Sequence, residues 1–213
     1  MKIIGITGNS GSGKTTLSEI FRENGIKVID CDRVSRELNS PDTEYMKKIV
    51  LTFGKEILKE DGSLDRKKLS DIIYNNEEAL NKLNQLTFKY VVDEILARIR
   101  VFETIDEKIV GIDAPLLYEA GLDKFCDYII GVIAKDDIKV ERICKRDNIS
   151  ADVAKQRLKI QKDDNFFRKR VNEIVENNSD DTTELEEIVK NLIYKYNLCS
   201  NVLSNIENES YRF

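Results

Sequence analysis

The 213-residue sequence predicts an α/β fold in which helices flank a mainly parallel sheet. Four short apolar runs have the length and composition of buried strands, and stretches with helical spacing of apolar residues separate them. These runs are residues 2–7, 26–30, 108–113 and 128–133. A glycine-rich loop lies between the first run and the first helical stretch, which is the order that a phosphate-binding loop requires.

The glycine-rich loop spans residues 8–15, with the sequence GNSGSGKT, and fits the pattern of glycine, four residues, Gly-Lys and then Ser or Thr. Backbone amides approach phosphate oxygens closely only where large side chains are absent, and the helix N-terminus that follows favours negative charge. The glycines that allow this approach are Gly8, Gly11 and Gly13. We expect Lys14 to reach the β- and γ-phosphates of a nucleoside triphosphate and the Thr15 hydroxyl to bind Mg²⁺.

The composition narrows the possible functions. The net charge of −5 and the absence of a basic tail argue against nucleic acid as a partner. The sequence contains no histidine, so Ser-His and Cys-His catalysis are excluded and a carboxylate is the expected general base.

No basic and apolar leader and no apolar run of roughly 18 residues are found, which predicts a cytoplasmic protein without a membrane partner. Four scattered cysteines without a Cys-x-x-Cys pair predict reduced thiols: Cys31, Cys126, Cys144 and Cys199.

The second predicted strand ends in Asp30-Cys31-Asp32, at the edge of the sheet where ligands bind in α/β folds. On an extended backbone, side chains at i and i+2 point the same way, so both carboxylates are expected to face the γ-phosphate region. One would help to hold Mg²⁺, and the other would accept the proton of an attacking hydroxyl. The alternative is that one or both cap a helix that starts near Arg33, since Asp is a favoured N-cap residue.

A long helical region follows this strand. Ser40-Pro41 has the form of an N-cap with a proline in the first turn, and helical spacing then continues, with a turn at Asp61-Gly62, to about Phe102. These roughly seventy residues far exceed what a crossover between parallel strands requires. We therefore predict a helical insertion, at about residues 41–105, that builds the pocket for the phosphate acceptor.

Later residues are further candidates for phosphate chemistry. Asp113 ends the third apolar run, where a carboxylate beside a glycine loop would organise Mg²⁺. Arg142 and Arg146 lie one turn apart on a predicted helix and are expected to close over the nucleotide and stabilise charge on the transferred phosphoryl group. The alternative is a solvated helix face, which is what most charge runs are. Seven basic residues continue the run: Lys155, Arg157, Lys159, Lys162, Arg168, Lys169 and Arg170.

An amphipathic helix at residues 185–196 ends the predicted fold and is expected to pack on the sheet. Residues 200–213 are polar and are predicted to form a tail. We therefore predict a single domain at residues 1–199, with the tail outside it.

Several separated segments resemble, in order and spacing, the dephospho-CoA kinases, a family of P-loop kinases. These segments are VIDCD at 28–32, FG at 53–54, DGSLDRKKL at 61–69, PLLYE at 115–119, and Arg142 with Arg146-Asp147. All P-loop kinases share the glycine loop, whereas the Asp-x-Asp, Asp-Gly-x-Leu-x-Arg and Pro-Leu-Leu-x-Glu segments make the resemblance specific. It extends from Lys2 to about Asn178.

The resemblance implies transfer of the ATP γ-phosphate to the ribose 3′-hydroxyl of dephospho-CoA, the last step of coenzyme A biosynthesis. It implies a P-loop nucleoside triphosphate hydrolase-like fold with a nucleotide core at about 1–40 and 106–199, a helical CoA domain at about 41–105, and a lid at about 142–172. Carried over by position, the ATP-binding residues are Gly11, Ser12, Gly13, Lys14, Thr15 and Thr16, with Arg142 and Arg146 in the lid. Lys14, Asp32 as general base, and Arg142 are the predicted catalytic residues.

Two other functions stay open at this point. The chain has Leu86-Thr87-Phe88 where the family usually has Leu-His-Pro, so a kinase of another small hydroxyl acceptor, such as a nucleoside or nucleotide, is one alternative. The other is a nucleotide-binding regulatory module without turnover, because fold-level analogy does not determine function. That alternative predicts loss of Lys14, Thr15 or Asp32, and all three are present. We expect a monomer or weak homo-oligomer with ATP, Mg²⁺ and dephospho-CoA as ligands.

Overall fold

A five-stranded sheet is the centre of the computed structural model, which describes residues 1–74 and 76–198. The strands are β1 (Lys2–Gly8), β2 (Lys27–Asp30), β3 (Ile109–Asp113), β4 (Tyr128–Ile133) and β5 (Glu173–Glu176). They lie in the order β2-β3-β1-β4-β5, and β1 pairs in parallel with both β3 and β4, as β4 does with β5. The predicted α/β fold is confirmed, and β5 is a strand that the sequence analysis did not predict.

Helices connect and flank the strands. In chain order they are α1 (Lys14–Glu23), α2 (Cys31–Leu38), α3 (Glu44–Phe53), α4 (Arg66–Ile73), α5 (Glu77–Thr104), α6 (Asp136–Asp147), α7 (Ala151–Lys159), α8 (Asp164–Arg168) and α9 (Thr183–Lys195). The chain forms two compact units. The first consists of Met1–Ile29 with the described residues from Val101 onward, and the second is Asp30–Arg100.

The core of the first unit lies between the sheet and its helices. Every residue of β3 is buried, as expected for a parallel strand that is covered on both faces. From α9, Leu185, Val189 and Leu192 join the buried cluster that contains Ile4 and Ile6 of β1. The predicted packing of the last amphipathic helix on the sheet is therefore confirmed.

The second unit has its own apolar core, and its helix α3 begins later than predicted. The side chain of Thr43 accepts a hydrogen bond from the Met46 amide at 3.1 Å, so Thr43 is the N-cap residue. Asp42 has a φ of 68°, which interrupts any helical path from Pro41. The prediction of an N-cap at Ser40 is therefore wrong, because a side-chain cap three residues further on determines where the helix starts.

The described residues also bear on the predictions about membranes and thiols. Among residues 1–74 and 76–198, no helix combines the length and apolar character needed to cross a membrane. Cys126 and Cys144 are free thiols and Cys31 is buried, whereas Cys199 and the predicted tail at 200–213 lie outside the described residues. Burial raises the pKa of the Cys126 thiol to about 12, so this thiol is not a nucleophile at neutral pH.

Candidate active site

The glycine loop joins the end of β1 to the start of α1. β1 ends at Gly8, α1 begins at Lys14, and Gly13 is the N-cap residue with a φ of 92°. Glycine has no side chain with which to cap a helix, and the first turn of α1 carries no acidic residue. The first amides of α1 are therefore available to an anion, which the helix dipole also favours. This is the local geometry of a phosphate site.

Two glycines of the loop are also required by the elements that pack against them. Gly11 has a φ of 78°, and a Cβ at this position would lie 2.6 Å from the carbonyl oxygen of Lys139 in α6. A Cβ at Gly13 would lie 1.8 Å from the side-chain Nδ2 of Asn177. Any other residue would therefore collide with a neighbouring element and adopt an unfavourable backbone conformation. The sequence pattern explains these glycines by phosphate access alone, and the structure adds close packing as a second reason.

Lys14 and Asp113 form an ion pair next to the loop. Lys14 is the first residue of α1, and Asp113 is the last residue of β3, in register with Ile6 of β1. The exposed fraction of the side chain is 12% for Lys14 and 5% for Asp113, so the pair is largely shielded from water. Removing one partner would leave a buried charge without compensation, which is strongly unfavourable. The structure thus brings together the residues predicted for phosphate binding and for Mg²⁺ binding.

The predicted Mg²⁺ ligands fit a metal ion that arrives with a nucleotide. In the described part of the chain, no group of three or more His, Cys, Asp or Glu side chains could hold a metal ion. Mg²⁺ needs no complete protein cage, because it commonly binds through one or two carboxylates together with substrate phosphates and water. Thr15, exposed in the first turn of α1, and the carboxylate of Asp113 supply suitable oxygen donors.

The guanidinium group of Arg142, in α6, connects two loops. It donates to the carbonyl oxygens of Gly11 at 3.4 Å, Asn177 at 3.0 Å and Ser179 at 2.6 Å. It also donates to the carboxylate of Asp180 at 3.1 Å. Arg142 is predicted to close over the nucleotide, and in the structure it joins the glycine loop to the loop after β5. Its action on the transferred phosphoryl group stays a prediction.

Arg146 lies one turn further along α6 and contacts an earlier part of the glycine loop. Its Nη2 donates to the hydroxyl of Ser10 at 3.1 Å, and its Nε donates to the carboxylate of Asp147 at 2.8 Å. Arg157 of α7 binds the same carboxylate at 2.6 Å. These contacts, with the hydrogen bond from Arg146 as the largest cause, hold the pKa of Asp147 below its ordinary value. Both arginines singled out from the sequence therefore contact the loop.

The connection between α7 and α8, which belongs to the predicted lid, also contacts the glycine loop. The backbone amide of Ser10 donates to Oε1 of Gln161 at 2.9 Å, and the side chain of Asn9 donates to the carbonyl oxygen of Lys162 at 2.7 Å. The Nζ of Lys162 lies 3.8 Å from Glu119, the acidic end of the Pro-Leu-Leu-Tyr-Glu segment. The part of the loop that precedes Gly11 is thus held mainly by lid residues.

A cavity of about 810 Å³ opens beside Asn9, between α6, α7 and residues 161–165. Charges of both signs line it: Lys155, Lys159, Lys162, Asp136, Asp163 and Asp164. Lys139 also contributes, although its side chain is 3% exposed and is balanced by Asp136 at 2.8 Å and Asp164 at 3.2 Å. The cavity is therefore bordered by charges of both signs, which partly neutralise one another, together with apolar side chains such as Val140 and Leu158.

The seven basic residues between 155 and 170 do not form one phosphate-binding group. Three of them line the cavity, whereas Arg157 is paired with Asp147 and Arg168 with Glu176. Much of this run therefore consists of charges that are paired locally or solvated, which agrees with the alternative of a solvated helix face. Contact between these residues and a nucleotide stays a prediction.

The second unit contains the predicted carboxylate pair. β2 ends at Asp30 and α2 begins at Cys31, so the backbone is not extended as far as Asp32. The carboxylate of Asp30 accepts a hydrogen bond from the Arg33 amide at 2.9 Å and caps α2. The premise that the backbone is extended through both carboxylates is wrong, because the helix that Asp30 caps already includes Asp32. Asp32 is exposed in the first turn of α2, and its role as base stays a prediction.

Asn177 is a residue at the glycine loop that the sequence analysis did not assign to the site. It follows β5, is 5% exposed and donates from Nδ2 to the carbonyl oxygen of Ser12 at 3.0 Å. β5 has only four residues with a glutamate at each end, so no apolar run marks it as a strand. The burial of Asn177 depends on residues 165 positions earlier in the chain, and a local pattern carries no signal for such a contact.

Comparisons with known proteins agree with this geometry. A protein-family model described as "CoaE: Dephospho-CoA kinase" matches residues 2–183. A dephospho-CoA kinase from Fusobacterium nucleatum is 37% identical over 188 residues, which cover 88% of this chain and 93% of the relative. A crystal structure of a Thermus thermophilus protein has a TM-score of 0.78 at 26% identity, over 91% of this chain and 97% of the other. A dephospho-CoA kinase from Campylobacter jejuni has a TM-score of 0.67 at 26% identity, over 92% and 98%.

Proposed function

The chain belongs to the dephospho-CoA kinase family, and from that premise we propose how its residues carry out the reaction. The reaction transfers the γ-phosphate of ATP to the ribose 3′-hydroxyl of dephospho-CoA, the final step of coenzyme A biosynthesis. The observation that carries the proposal is the glycine loop with Lys14 paired to Asp113. A cation for the phosphates and a carboxylate for their metal ion are the two charges that phosphoryl transfer from ATP needs most.

We assign ATP binding to the glycine loop and the start of α1. The residues proposed to bind ATP are Gly8, Gly11, Ser12, Gly13, Lys14, Thr15 and Thr16. Backbone amides of the loop surround the β-phosphate, and Lys14 turns from Asp113 towards the β- and γ-phosphate oxygens. Each contact of this kind is charge-assisted, so it stays strong in a site from which water is excluded.

Thr15 and Asp113 are the proposed ligands of Mg²⁺. When bound, Mg²⁺ neutralises charge on the β- and γ-phosphates. The movement of Lys14 towards the phosphates frees the carboxylate of Asp113 for this purpose. Lys14 would then pair with the phosphates and Asp113 with Mg²⁺, so that neither buried charge would lack a partner.

Arg142 and Arg146 are proposed to complete the charge around ATP. Arg146 already reaches the hydroxyl of Ser10 in the glycine loop, and we propose that its guanidinium binds a γ-phosphate oxygen. Arg142 is proposed to act from the side of Gly11, to whose carbonyl oxygen it donates. Guanidinium groups placed in this way stabilise the charge on the three outer oxygens of the transferred phosphoryl group.

Asp32 is the proposed general base. A ribose hydroxyl is a poor nucleophile at neutral pH, but phosphoryl transfer is loose, so orientation of the hydroxyl matters more than its early deprotonation. Asp32 would orient the 3′-hydroxyl and take its proton late.

We further propose that residues 41–105 form the domain that binds dephospho-CoA, and that residues 142–172 form the lid.

We propose that the protein acts in the cytoplasm as a monomer or weak homo-oligomer. ATP and dephospho-CoA are its proposed small-molecule partners, without nucleic acid or membrane. The net charge of −5 supports the exclusion of polyanions, since an acidic surface repels them. Analytical ultracentrifugation tests the oligomeric state directly, and a stable higher oligomer would contradict this part of the proposal.

The acceptor assay tests the proposed function. It compares the initial rate of ADP formation from Mg²⁺-ATP alone with the rates in the presence of dephospho-CoA, nucleosides or nucleoside monophosphates. We expect a large increase with dephospho-CoA only. An increase only with another acceptor would favour the alternative kinase, and ATP binding without any turnover would favour the regulatory module.

Asp32→Asn tests the assignment of the base. We expect ATP binding to be preserved and kcat to fall by roughly 10²- to 10⁴-fold, the usual contribution of a general base. Asp71→Asn, which removes an exposed carboxylate from α4 in the same unit, is the matched control and should leave kcat unchanged. Unchanged turnover in Asp32→Asn would exclude Asp32 as the base.

A further inference from the structure

Asn177 connects the loop after β5 to the glycine loop through a buried hydrogen bond. Its Nδ2 donates to the carbonyl oxygen of Ser12 at 3.0 Å. A carbonyl oxygen can only accept, so the amino group of the side chain must be the part that faces Ser12. The backbone of Asn177 is also held, because its N–H donates to the Ile133 carbonyl at 2.8 Å and its own carbonyl accepts from Arg142 at 3.0 Å. The donor is therefore presented to Ser12 from a position that the sheet and α6 determine.

This hydrogen bond sets the orientation of the peptide unit between Ser12 and Gly13. In a planar trans peptide, the carbonyl group and the N–H group that follows it point in opposite directions. Because the Ser12 carbonyl points towards Asn177, the Gly13 N–H points away from Asn177. The Nδ2 atom would lie 1.8 Å from a Cβ at Gly13, so Asn177 covers one side of this peptide closely. The opposite side, with the N–H group, is left for a ligand.

We propose that Asn177 is a positioning residue for ATP, which holds the Ser12–Gly13 peptide so that the Gly13 N–H donates to a phosphate oxygen. The proposal rests on the proposed function, because it assumes that the glycine loop binds ATP. If this peptide turned over, the Ser12 carbonyl oxygen would face the phosphates and repel them. Asn177 does not touch the substrate itself and acts through Gly13. It affects ATP affinity, and the binding of dephospho-CoA does not depend on it.

Two neighbouring asparagines use the opposite end of the side-chain amide. The Oδ1 of Asn172 accepts from the Ile129 amide at 2.8 Å, and the Oδ1 of Asn178 accepts from the Lys135 amide at 2.9 Å. Substitution by aspartate keeps an acceptor at both of these positions. The same substitution at Asn177 removes the donor and places a carboxylate oxygen against the Ser12 carbonyl. Asn→Asp substitutions therefore separate the role of Asn177 from that of a general structural asparagine.

The test compares Asn177→Asp with Asn178→Asp, which adds the same charge one residue away. The measurements are the Kd for Mg²⁺-ATP by calorimetry and the KM values for ATP and dephospho-CoA. For Asn177→Asp we expect the Kd for ATP to rise about tenfold, the equivalent of about 1.4 kcal/mol, while the KM for dephospho-CoA stays constant. Asn178→Asp should leave both constants close to those of the unmodified protein.

Thermal unfolding shows whether each variant folds. If the buried carboxylate prevents folding, Asn177→Ala removes the donor without adding a charge and is measured instead. An unchanged Kd for ATP in a folded variant would overturn the proposal, as would equal losses for ATP and dephospho-CoA. Failure of both Asn177 variants to fold would also overturn it, because Asn177 would then serve the fold as a whole. A wild-type protein that binds no ATP would refute the proposed function instead.

Discussion

The two parts of the glycine loop are held in different ways. Residues 11–13, which we term the braced part, pack against α6 and against Asn177, whose side chain is almost fully buried. Residues 9–10, which we term the lid-facing part, are held by groups from the predicted lid, among them Gln161 and Arg146. The hydrogen bond from Asn177 to the braced part is buried. In the lid-facing part, the contacts of Asn9 and Arg146 are exposed and that between Ser10 and Gln161 is partly buried.

This difference indicates which contacts a nucleotide can replace. A hydrogen bond near the surface contributes little net free energy, because water or a phosphate oxygen can take the place of either partner. A buried donor or acceptor cannot change partners without a large desolvation penalty. We therefore expect ATP to displace Gln161 from the Ser10 amide while the braced part keeps its conformation.

The largest expected effect comes from Lys14, the cation that directly follows the braced part. Lys14→Ala should lower kcat/KM by about 10²- to 10³-fold, the usual loss when one group that stabilises transition-state charge is removed. It should also lower the Tm of the protein without ATP, because the buried carboxylate of Asp113 loses its partner. Steady-state kinetics and thermal unfolding measure the two effects. Lys27→Ala, at an exposed position of β2, is the control, and a kcat/KM within tenfold of wild type in Lys14→Ala would contradict the assignment.

Substitutions of the two arginines of α6 compare the braced part directly with the lid-facing part. Arg142→Ala should lower kcat roughly tenfold, because the proposed stabilisation of the transferred phosphoryl group is lost. It should also lower the Tm, because three main-chain carbonyl groups lose a charged donor. Arg146→Ala should lower kcat by a similar factor with little change in Tm, because its hydrogen bonds to Asp147 and Ser10 are exposed to water. Kinetics and unfolding of both variants give the comparison. A larger loss of Tm in Arg146→Ala would show that the braced part is not the more rigid one.

A smaller effect of opposite sign is expected from Gln161→Ala. This substitution frees the Ser10 amide from the side-chain oxygen that occupies it, so the Kd for ATP should fall by about fivefold, the equivalent of roughly 1 kcal/mol. Calorimetry with Mg²⁺-ATP measures the change. Gln85→Ala, at an exposed position of α5, is the control. Weaker ATP binding in Gln161→Ala would mean that Gln161 supports the bound nucleotide rather than competing with it.

The smallest effect is expected from Asp147→Asn, which removes the carboxylate that pairs with Arg146 and Arg157. The KM for ATP should change by no more than about threefold, because exposed ion pairs contribute little. The pKa of Asp147 is lowered, so its pairing is complete above the ordinary value of about 3.9 and is lost only as the pH falls through the lowered value. The ratio of the two KM values should therefore be constant between about pH 6 and 9. A ratio that changes within this range would point to another titrating group.

The features predicted from the sequence are those with a local signature. The glycine loop has a motif, and Asp113 ends a run of apolar residues that reads as a buried strand. The structure adds that Lys14 and Asp113 are paired, a contact between residues 99 positions apart. At Asp30 two local rules competed, and the preference of Asp for an N-cap position prevailed over a continued strand.

The features that the sequence analysis did not predict depend on tertiary contacts. β5 is recognisable as a strand only through its pairing with β4, because its own four residues carry too little apolar character. Asn177 resembles any loop asparagine until the fold buries it against Ser12. Likewise, the spacing of the two arginines in α6 does not reveal their different partners. Arg142 binds main-chain carbonyl groups, whereas Arg146 binds a hydroxyl group.

The distance along the chain between Ser12 and its partner has a consequence for the order of events during synthesis. The two residues are 165 positions apart. At roughly 5–20 residues per second, a ribosome adds Asn177 about 8–33 s after the glycine loop. During that interval the nascent chain contains the complete phosphate-binding motif, but the Ser12–Gly13 peptide lacks its hydrogen bond from Asn177. We therefore expect the nascent chain to bind nucleotide with full affinity only after Asn177 has been translated and has reached Ser12.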